Sequence, residues 1–239
     1  MDGHDKILQL VKDNSPEYKK VKSLLKSGWK HSEKRKPQLR RLFRIVNNDA
    51  HYKPFAAYQK RIQTALHSDS KGATSATECL LFHGTTRACL VGEDDAISGI
   101  CNLPRCSLCR IIENSFDVKF CGSQHKFKRF GKAIYTTSCT SKADDYASNA
   151  HPSATTRVLL LSRVVLGKQF TTKLNSSHLL EPPEGYHSVR GVPGVHLNYE
   201  EAVVYNNDAI RPAYLVVYQL KPKLKLSKTL QLIFGTPLA

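Results

Sequence analysis

The sequence predicts an α+β domain with a mainly antiparallel core, preceded by a basic helical segment. Apolar residues recur at spacings of three and four in the first third of the chain, which indicates amphipathic helices. From residue 78 the pattern changes to short apolar runs rich in β-branched and aromatic residues, which indicates strands. At 239 residues the chain has room for one large domain with an appended segment.

Three segments of the first third carry the helical spacing: residues 16–29, 37–47 and 52–66. Pro16 and Pro37 stand near the starts of the first two, where proline fits the first turn of a helix. The polar run 67–77 predicts a linker. Because apolar faces such as the one that carries Trp29 need a covering surface, we expect residues 1–77 to form a basic helical lead-in and linker packed on the following domain.

Four apolar runs after the linker predict strands: residues 78–85, 157–167, 200–206 and 212–220. A long stretch with cysteines and glycines separates the first two runs, and it ends in a Ser/Asp-rich helix start at Ser141. We therefore expect residues 78–220 to form one α+β domain with long functional loops, followed by a basic tail over 221–239.

The net charge of +16 is concentrated towards the two ends of the chain. Residues 1–75 contain 17 basic and 7 acidic side chains, and residues 221–239 contain four lysines and no acidic residue. A nucleic acid or another polyanion is one partner that such segments could bind. A lysine-rich surface in contact with water is the alternative, and it is favoured because we find no nucleic-acid-binding motif in the sequence.

The composition excludes several classes of protein. Hydrophobic residues at 41% and charged residues at 23% are typical of a folded domain rather than a disordered chain. No apolar run approaches the roughly 18–20 residues that span a bilayer, and the first residues lack the features of a secretory signal. We therefore expect an intracellular protein, nuclear or cytoplasmic, that is monomeric and has no membrane partner.

The spacing of the cysteines predicts a metal site rather than a disulfide framework. Cys101, Cys106 and Cys109 follow a Cys-x4-Cys-x2-Cys pattern, which suits zinc because this ion takes four soft ligands at tetrahedral corners. We predict a structural zinc held by these three thiolates and Cys121. Free buried thiols are the alternative, and spacing alone leaves open three other candidates for the fourth ligand: Cys89, His125 and Cys139.

Two motifs carry side chains suited to a flat, polar ligand. His83 follows an apolar run, and Gly84 after it lets a planar group approach the backbone. Tyr135 and Tyr146 could form the two faces of an aromatic slot. A basic stretch just before Phe130 could favour an anionic ligand, although charges in contact with water are the simpler interpretation.

A pair of glutamates begins the third predicted strand. Side chains alternate between the two faces of a strand, so Glu200 and Glu201 point in opposite directions. A carboxylate on an apolar strand is costly to bury unless something binds it. An edge-strand glutamate in contact with water is the alternative.

These motifs follow one another in a specific order: His-Gly-Thr at 83–85, Phe-Gly-x-x-Ile-Tyr at 130–135, Ser-Lys-x-x-x-Tyr at 141–146, and Glu-x-Val-Val-Tyr at 201–205. Through them, residues 78–220 resemble the catalytic domain of the poly(ADP-ribose) polymerase superfamily, the diphtheria-toxin-like ADP-ribosyltransferases. The resemblance implies a split, mixed and mainly antiparallel β-sheet fold that holds NAD in a cleft. Residues 18–65 resemble more loosely the helical lead-in of the mono-ADP-ribosyltransferase members.

The resemblance also implies the roles of the site residues. His83, Tyr135 and Glu201 would form the catalytic triad, in which Glu201 binds and polarises the 2′-hydroxyl of the nicotinamide ribose. A fixed carboxylate there would stabilise an oxocarbenium-like transition state as nicotinamide leaves. NAD, the substrate, would be bound by six residues: His83, Gly84, Thr85, Tyr135, Ala143 and Tyr146.

Ala143 departs from the family's pattern, which has at this position a serine that bonds the nicotinamide amide. Loss of one hydrogen bond would weaken NAD binding by about 0.5–1.5 kcal/mol without changing the class of reaction.

The resemblance implies transfer of single ADP-ribose units to a protein side chain. The helical lead-in is too short to be the autoinhibitory helical domain of the DNA-activated members, so we expect no requirement for broken DNA. Two alternatives remain open. One is ADP-ribosylation of nucleic-acid ends, suggested by the basic N-terminal segment, and the other is a catalytically silent module that binds NAD or partners.

Overall fold

A computed structural model gives the fold of residues 7–46, 48–69, 78–96, 99–121 and 128–222. Four α-helices lie in these ranges: α1 Pro16–Ser27, α2 Asp49–Asp69, α3 Ser107–Asn114 and α4 Thr140–Asp145. Short 3-10 turns cover Val118–Phe120 and Asn207–Ala209. The predicted linker beyond Asp69, His125 and the predicted tail beyond Pro222 lie outside the described residues.

The described residues form eleven strands: β1 Leu8–Leu10, β2 Pro37–Ile45, β3 Glu78–His83, β4 Thr86–Arg87, β5 Ile134–Thr136, β6 Ser148–Asn149, β7 Arg157–Val165, β8 Gln169–Thr172, β9 Ser188–Gly191, β10 Glu201–Val204 and β11 Ile210–Leu220. One sheet has the order β1-β2-β11-β7-β3, and all its neighbouring strands are antiparallel. A second sheet has the order β5-β10-β9-β8, with only β8 and β9 parallel, and β4 pairs with β6. The predicted class, α+β with mainly antiparallel sheets, is confirmed.

Two of the three predicted helices form where their apolar spacing places them. Ser15 caps α1 by accepting a hydrogen bond from the backbone N–H of Tyr18, and Pro16 occupies the first helical position. The apolar face of α2 is buried at Phe55 and Ile62. Within the described residues, no helix is both long and apolar enough to cross a membrane.

The helix predicted from the spacing of residues 37–47 is wrong, because Pro37–Ile45 form the strand β2 between β1 and β11. A β-bulge produced the misleading pattern. The register between β2 and β11 shifts at Arg40, where β2 carries one extra residue. Leu39 and Leu42 therefore pack in the same apolar cluster although they are three positions apart, as in a helix, while Phe43 packs in another cluster.

Two apolar layers cover the opposite faces of the five-stranded sheet. Along β11, Leu215 and Val217 belong to a cluster with α2 and α3, whereas Val216 and Tyr218 belong to a cluster with α1. The first cluster also includes Ile134 from the second sheet. The end of β3 thus lies near α3, α4 and the second sheet, and a cavity opens there.

Candidate active site

A cavity of about 450 Å³ lies where the ends of β3, β5 and β10 meet α3 and α4. All the residues predicted for the NAD site line it: His83, Gly84, Thr85, Tyr135, Ala143, Tyr146 and Glu201. These residues come from four separate segments of the sequence, so the fold assembles the predicted set in one place. Their contacts with NAD remain a prediction.

His83 is oriented by the backbone of the second sheet. Its Nδ1 lies 2.9 Å from the carbonyl oxygen of Tyr135, so Nδ1–H donates and Nε2 is left as an acceptor for a ligand. Burial lowers the pKa of His83 and favours this neutral ring, although the hydrogen bond opposes the effect. Phe116 packs edge-on against the imidazole with a ring separation of 5.1 Å.

Gly84 lies in direct contact with α4. A Cβ atom at this position would lie 2.0 Å from the carbonyl oxygen of Ala143, so no side chain fits between them. Ala143 itself is buried in the apolar cluster that includes α1. The close approach fixes the distance between the His-Gly-Thr segment and the helix that carries Ala143.

Tyr135 lines the cavity while its hydroxyl holds the neighbouring loop. The hydroxyl donates to the carbonyl oxygen of Gly131 at 2.8 Å and accepts from the backbone N–H of Phe130 at 2.9 Å. Burial raises the pKa of Tyr135, so the hydroxyl keeps its proton. Tyr146 also lines the cavity, and it is 43% exposed.

Glu201 and Glu200 lie on opposite faces of the strand, as alternation predicts. Glu201 is 7% exposed, and its Oε2 accepts no hydrogen bond from the described residues. Glu200 accepts hydrogen bonds from Ser138 and Arg190 outside the cavity, and these two partners lower its pKa. Of the two glutamates, therefore, only Glu201 offers to the cavity a carboxylate oxygen that accepts no hydrogen bond from the described residues.

Residues 104–196 match the family model described as Poly(ADP-ribose) polymerase catalytic domain. This match supports a catalytic domain of the poly(ADP-ribose) polymerase superfamily in this part of the chain. The matched range contains Tyr135, Ala143 and Tyr146. His83 and Glu201 lie outside this range and belong to the site because they line the same cavity. A domain of this superfamily indicates NAD-dependent ADP-ribosyltransferase chemistry, with NAD as the substrate.

Two cations of the matched range flank the Glu201 carboxylate. Lys142 Nζ lies 2.7 Å from Oε1, and Arg129 Nε lies 3.8 Å from Oε2. Burial lowers the pKa of Lys142, an effect that the charge of Glu201 opposes. Sequence reasoning missed Lys142 as a site residue, although its place beside Ala143 in the Ser-Lys segment was an available signal.

The N-terminal segment holds α4, which lies within the matched range. Thr140 donates from its backbone N–H to the carbonyl oxygen of Gly28 at 2.8 Å. The Ser141 hydroxyl oxygen accepts from the backbone N–H groups of Lys30 and His31, at 2.9 and 3.1 Å. A Cβ at Gly28 would lie 2.4 Å from the carbonyl oxygen of Ser138. These contacts fix the helix that carries Lys142.

A cluster of four thiols lies beside the cavity and could bind zinc. The sulfur atoms of the four cysteines lie within 4.8 Å of one another: Cys89, Cys101, Cys106 and Cys109. Four sulfurs bound to one tetrahedral zinc lie about 3.8 Å apart, and Cys89 Sγ is 3.5 Å from Cys109 Sγ and 3.8 Å from Cys106 Sγ. Hydrogen bonds from Cys109 and Cys89 lower the pKa of Cys106, which favours a thiolate.

The fourth cysteine of the cluster is Cys89, and the choice of Cys121 from the sequence is corrected. The Cys121 thiol donates to the carbonyl oxygen of Asp117 and lines the active-site cavity. Burial raises its pKa to about 11, which favours the protonated thiol. Cys139 is buried ahead of α4, next to Ser141. The turn after β4 brings Cys89 to the start of α3, a long-range approach that ligand spacing does not reveal.

Proposed function

We propose that this protein cleaves NAD, releases nicotinamide and transfers a single ADP-ribose unit to a protein side chain. The observation that carries the proposal is the buried Glu201 carboxylate, whose Oε2 accepts no hydrogen bond from the described residues although it lines the same cavity as His83 and Tyr135. An unsatisfied buried oxygen is costly unless a ligand donates to it. A ribose hydroxyl of the donor is the partner that the proposal assigns.

The chemistry assigned to Glu201 is electrostatic. When the bond from the anomeric carbon to nicotinamide breaks, positive charge develops on the ribose. A carboxylate already fixed beside that sugar stabilises the charge more strongly in the transition state than in the ground state. Oε2, bonded to the 2′-hydroxyl, would supply this stabilisation.

The remaining donor contacts are assigned from the lining of the cavity. Nε2 of His83 would accept from a hydroxyl of the adenosine ribose, with Thr85 beside it. The backbone of Gly84 would bind the nicotinamide amide, and the ring of Tyr146 would stack on the nicotinamide ring. Ala143 offers no hydroxyl, so the nicotinamide amide would make one hydrogen bond fewer here. The presence of two separate sheets that both contribute residues to this cavity supports the split sheet of an ADP-ribosyltransferase fold.

A protein acceptor fits the described surface better than a nucleic acid. Two N-terminal arginines are paired within the chain: Arg44 with Glu17, and Arg41 with Asp95. These pairs reduce the basic charge that a polyanion would meet. We retain the assignment to the nucleus or cytoplasm and the monomeric state as parts of the same proposal.

We also propose that Cys89, Cys101, Cys106 and Cys109 bind a structural zinc. Four thiolates without an open position are typical of structural rather than catalytic zinc. The ion would tie the turn after β4 to the start of α3, whose residues Arg110 and Ile111 line the cavity. Zinc would thus hold one wall of the donor site in place.

The proposal is tested by incubating the purified protein with NAD labelled either in nicotinamide or in adenine. We expect free nicotinamide to appear together with adenine label bound covalently to protein. Release that does not exceed a heat-denatured control would refute the proposal. NAD binding without release would identify the catalytically silent module instead.

A further inference from the structure

His31 of the N-terminal segment lies between α4 and the residues that lead into β10. Its Nδ1 is 2.7 Å from the Ser141 hydroxyl oxygen on α4. Its ring packs against the ring of Tyr199, two residues before Glu201, with the ring centroids 4.3 Å apart. The side chain is 17% exposed, so most of its surface is buried. One side chain from outside the predicted catalytic domain thus contacts two segments next to the catalytic carboxylate.

The buried hydroxyl of Ser141 needs the acceptor that His31 supplies. Its oxygen accepts from the backbone N–H groups of Lys30 and His31 at 2.9 and 3.1 Å, which fills both lone pairs. Its own proton is therefore donated, and His31 Nδ1 is the nearest acceptor among the described residues. Cys139 Sγ, at 3.4 Å, is more distant and accepts weakly. The ring of His31 thus completes the hydrogen bonding of Ser141.

Both residues that the His31 ring contacts are tied to Lys142. Ser141 precedes Lys142 in the chain, and the carbonyl oxygen of Tyr199 accepts from Lys142 Nζ at 2.9 Å. The same Nζ lies 2.7 Å from Oε1 of Glu201. Lys142 therefore occupies one oxygen of this carboxylate, while Oε2 accepts no hydrogen bond from the described residues. The position of Nζ thus helps to set which carboxylate oxygen faces the proposed ribose.

The second half of α4 is anchored without His31. The buried carboxylate of Asp144 accepts from Arg157 Nε and from the Tyr218 hydroxyl. Arg157 also donates from Nη2 to the carbonyl oxygen of Asp144 at 2.9 Å. Tyr146, the residue proposed to stack on nicotinamide, caps this end of the helix. Loss of His31 would therefore act on the first turn of α4, while the part nearest the proposed nicotinamide position stays anchored.

We infer that His31 is a positioning residue for the transfer reaction, acting through Lys142 on Glu201. By fixing the two neighbours of Lys142, it holds Glu201 with Oε2 towards the cavity, although His31 itself does not line that cavity. A carboxylate that is already oriented needs no rearrangement when positive charge develops on the ribose. This inference rests on the proposed function, and it extends the active site to a segment outside the matched range 104–196.

The test measures nicotinamide release by the full-length protein as a function of NAD concentration, at equal folded concentration of each variant. His31→Ala should lower kcat about tenfold, because a displaced Lys142 leaves Glu201 less well oriented. KM for NAD should change less than about twofold, since the proposed donor contacts lie in parts of the site that stay anchored. Ser32→Ala changes an exposed neighbour in the same segment, and this matched control should leave both constants unchanged.

Two further variants separate the two contacts of the His31 ring. His31→Asn places an amide oxygen near the former Nδ1, so it still accepts from Ser141, but it loses the ring that packs on Tyr199. His31→Phe keeps a ring against Tyr199 and offers no acceptor to Ser141. Because the hydroxyl of Ser141 is fully buried, loss of its His31 partner is the costlier change. We expect His31→Asn to restore kcat to within about threefold of wild type, and His31→Phe to resemble His31→Ala.

A double-mutant cycle tests whether His31 acts through Lys142. Lys142→Met removes the ion pair with Glu201 and keeps an unbranched side chain in the lining of the cavity. In that background, His31→Ala should lower kcat by less than about twofold, because the contact that His31 positions is already lost. A residue that acted independently of Lys142 would lower kcat by the same factor in both backgrounds.

Each outcome decides the inference. An unchanged kcat in His31→Ala, a change confined to KM, an equal loss in both backgrounds of the cycle, or no recovery in His31→Asn overturns the positioning role. In each of these cases, nicotinamide release by the wild-type protein still supports the proposed function. Absence of release by the wild-type protein overturns both. If His31→Ala does not fold or Lys142→Met is inactive, the comparison of His31→Asn with His31→Phe decides.

Discussion

Glu201→Gln removes the carboxylate charge from the cavity while it preserves the size of the side chain. In the wild-type protein, Lys142 Nζ lies 2.7 Å from Oε1 and Arg129 Nε lies 3.8 Å from Oε2. The amide keeps an acceptor for Lys142 but removes the negative charge that faces both cations. Positive charge on the ribose would then develop next to two positive side chains.

The expected loss of rate follows from this arrangement. Removal of one preorganised electrostatic contact costs about 10²–10³ in rate, or about 2.7–4 kcal/mol. Because both cations remain at the site, we expect the Glu201→Gln variant to lie at the upper end, near 10³. The free energy of unfolding should fall by only about 1–3 kcal/mol. The loss is limited because Lys142 keeps its hydrogen bond to the Tyr199 carbonyl oxygen.

The assay compares nicotinamide release and NAD affinity for wild-type protein and variants at equal folded concentration. NAD affinity should change only modestly in Glu201→Gln, because His83, Gly84 and Tyr146 supply most of the proposed contacts. Glu200→Gln is the matched control, as its partners lie on the opposite strand face, and its release should stay within a few-fold of wild type. Near-normal release by Glu201→Gln, or a collapse in Glu200→Gln alone, would refute the assignment.

Three further predictions follow from contacts outside the catalytic carboxylate. Cys89→Ser should reduce bound zinc from one equivalent to less than about a tenth in elemental analysis, whereas Cys121→Ser should keep it; zinc loss in Cys121→Ser alone would contradict the cluster. Gly28→Ala should lower the free energy of unfolding by about 1–3 kcal/mol, because its Cβ would lie 2.4 Å from a backbone oxygen. Gly99→Ala, which meets no atom within 4 Å, should not lower the melting temperature, and equal losses would refute the packing argument. Burial alone would raise the pKa of Glu93, but hydrogen bonds from two threonines and the charge of a buried arginine lower it to about 2 from 4.5. Since the folded pKa is depressed, Glu93→Gln should cost about 3 kcal/mol at pH 7, and urea titrations should show that difference fade as the pH falls from 4.5 to about 2.

Sequence patterns predict well the helices that bury one face at helical spacing and the strands that consist of a short apolar run. α1 and α2 each bury one face at helical spacing, and the strands β3, β7, β10 and β11 each match a short apolar run. β2 was missed because its bulge depends on the register with β11, at the other end of the chain. Such a register is a property of the assembled sheet and has no local signal.

The candidate site, too, has a part that the sequence reveals and a part that only the fold reveals. The motifs around His83, Tyr135 and Glu201 are visible in the sequence, and all three line one cavity. The electrostatic environment of Glu201 is not visible, because Lys142 and Arg129 reach it from separate segments. The Cys-x4-Cys-x2-Cys spacing likewise identified three cysteines of the cluster. It did not identify the fourth, Cys89, because the position of that residue depends on the path of the turn after β4.

The position of β11 has a consequence for how the chain folds. This strand is the last of the described strands to leave the ribosome, yet it lies between β2 and β7. Until it arrives, both of its neighbours have unpaired edges and partly uncovered apolar faces, which are sites for aggregation. The central pairing also requires closure of a loop that comprises most of the chain, so we expect slow refolding and a nascent protein that depends on chaperones.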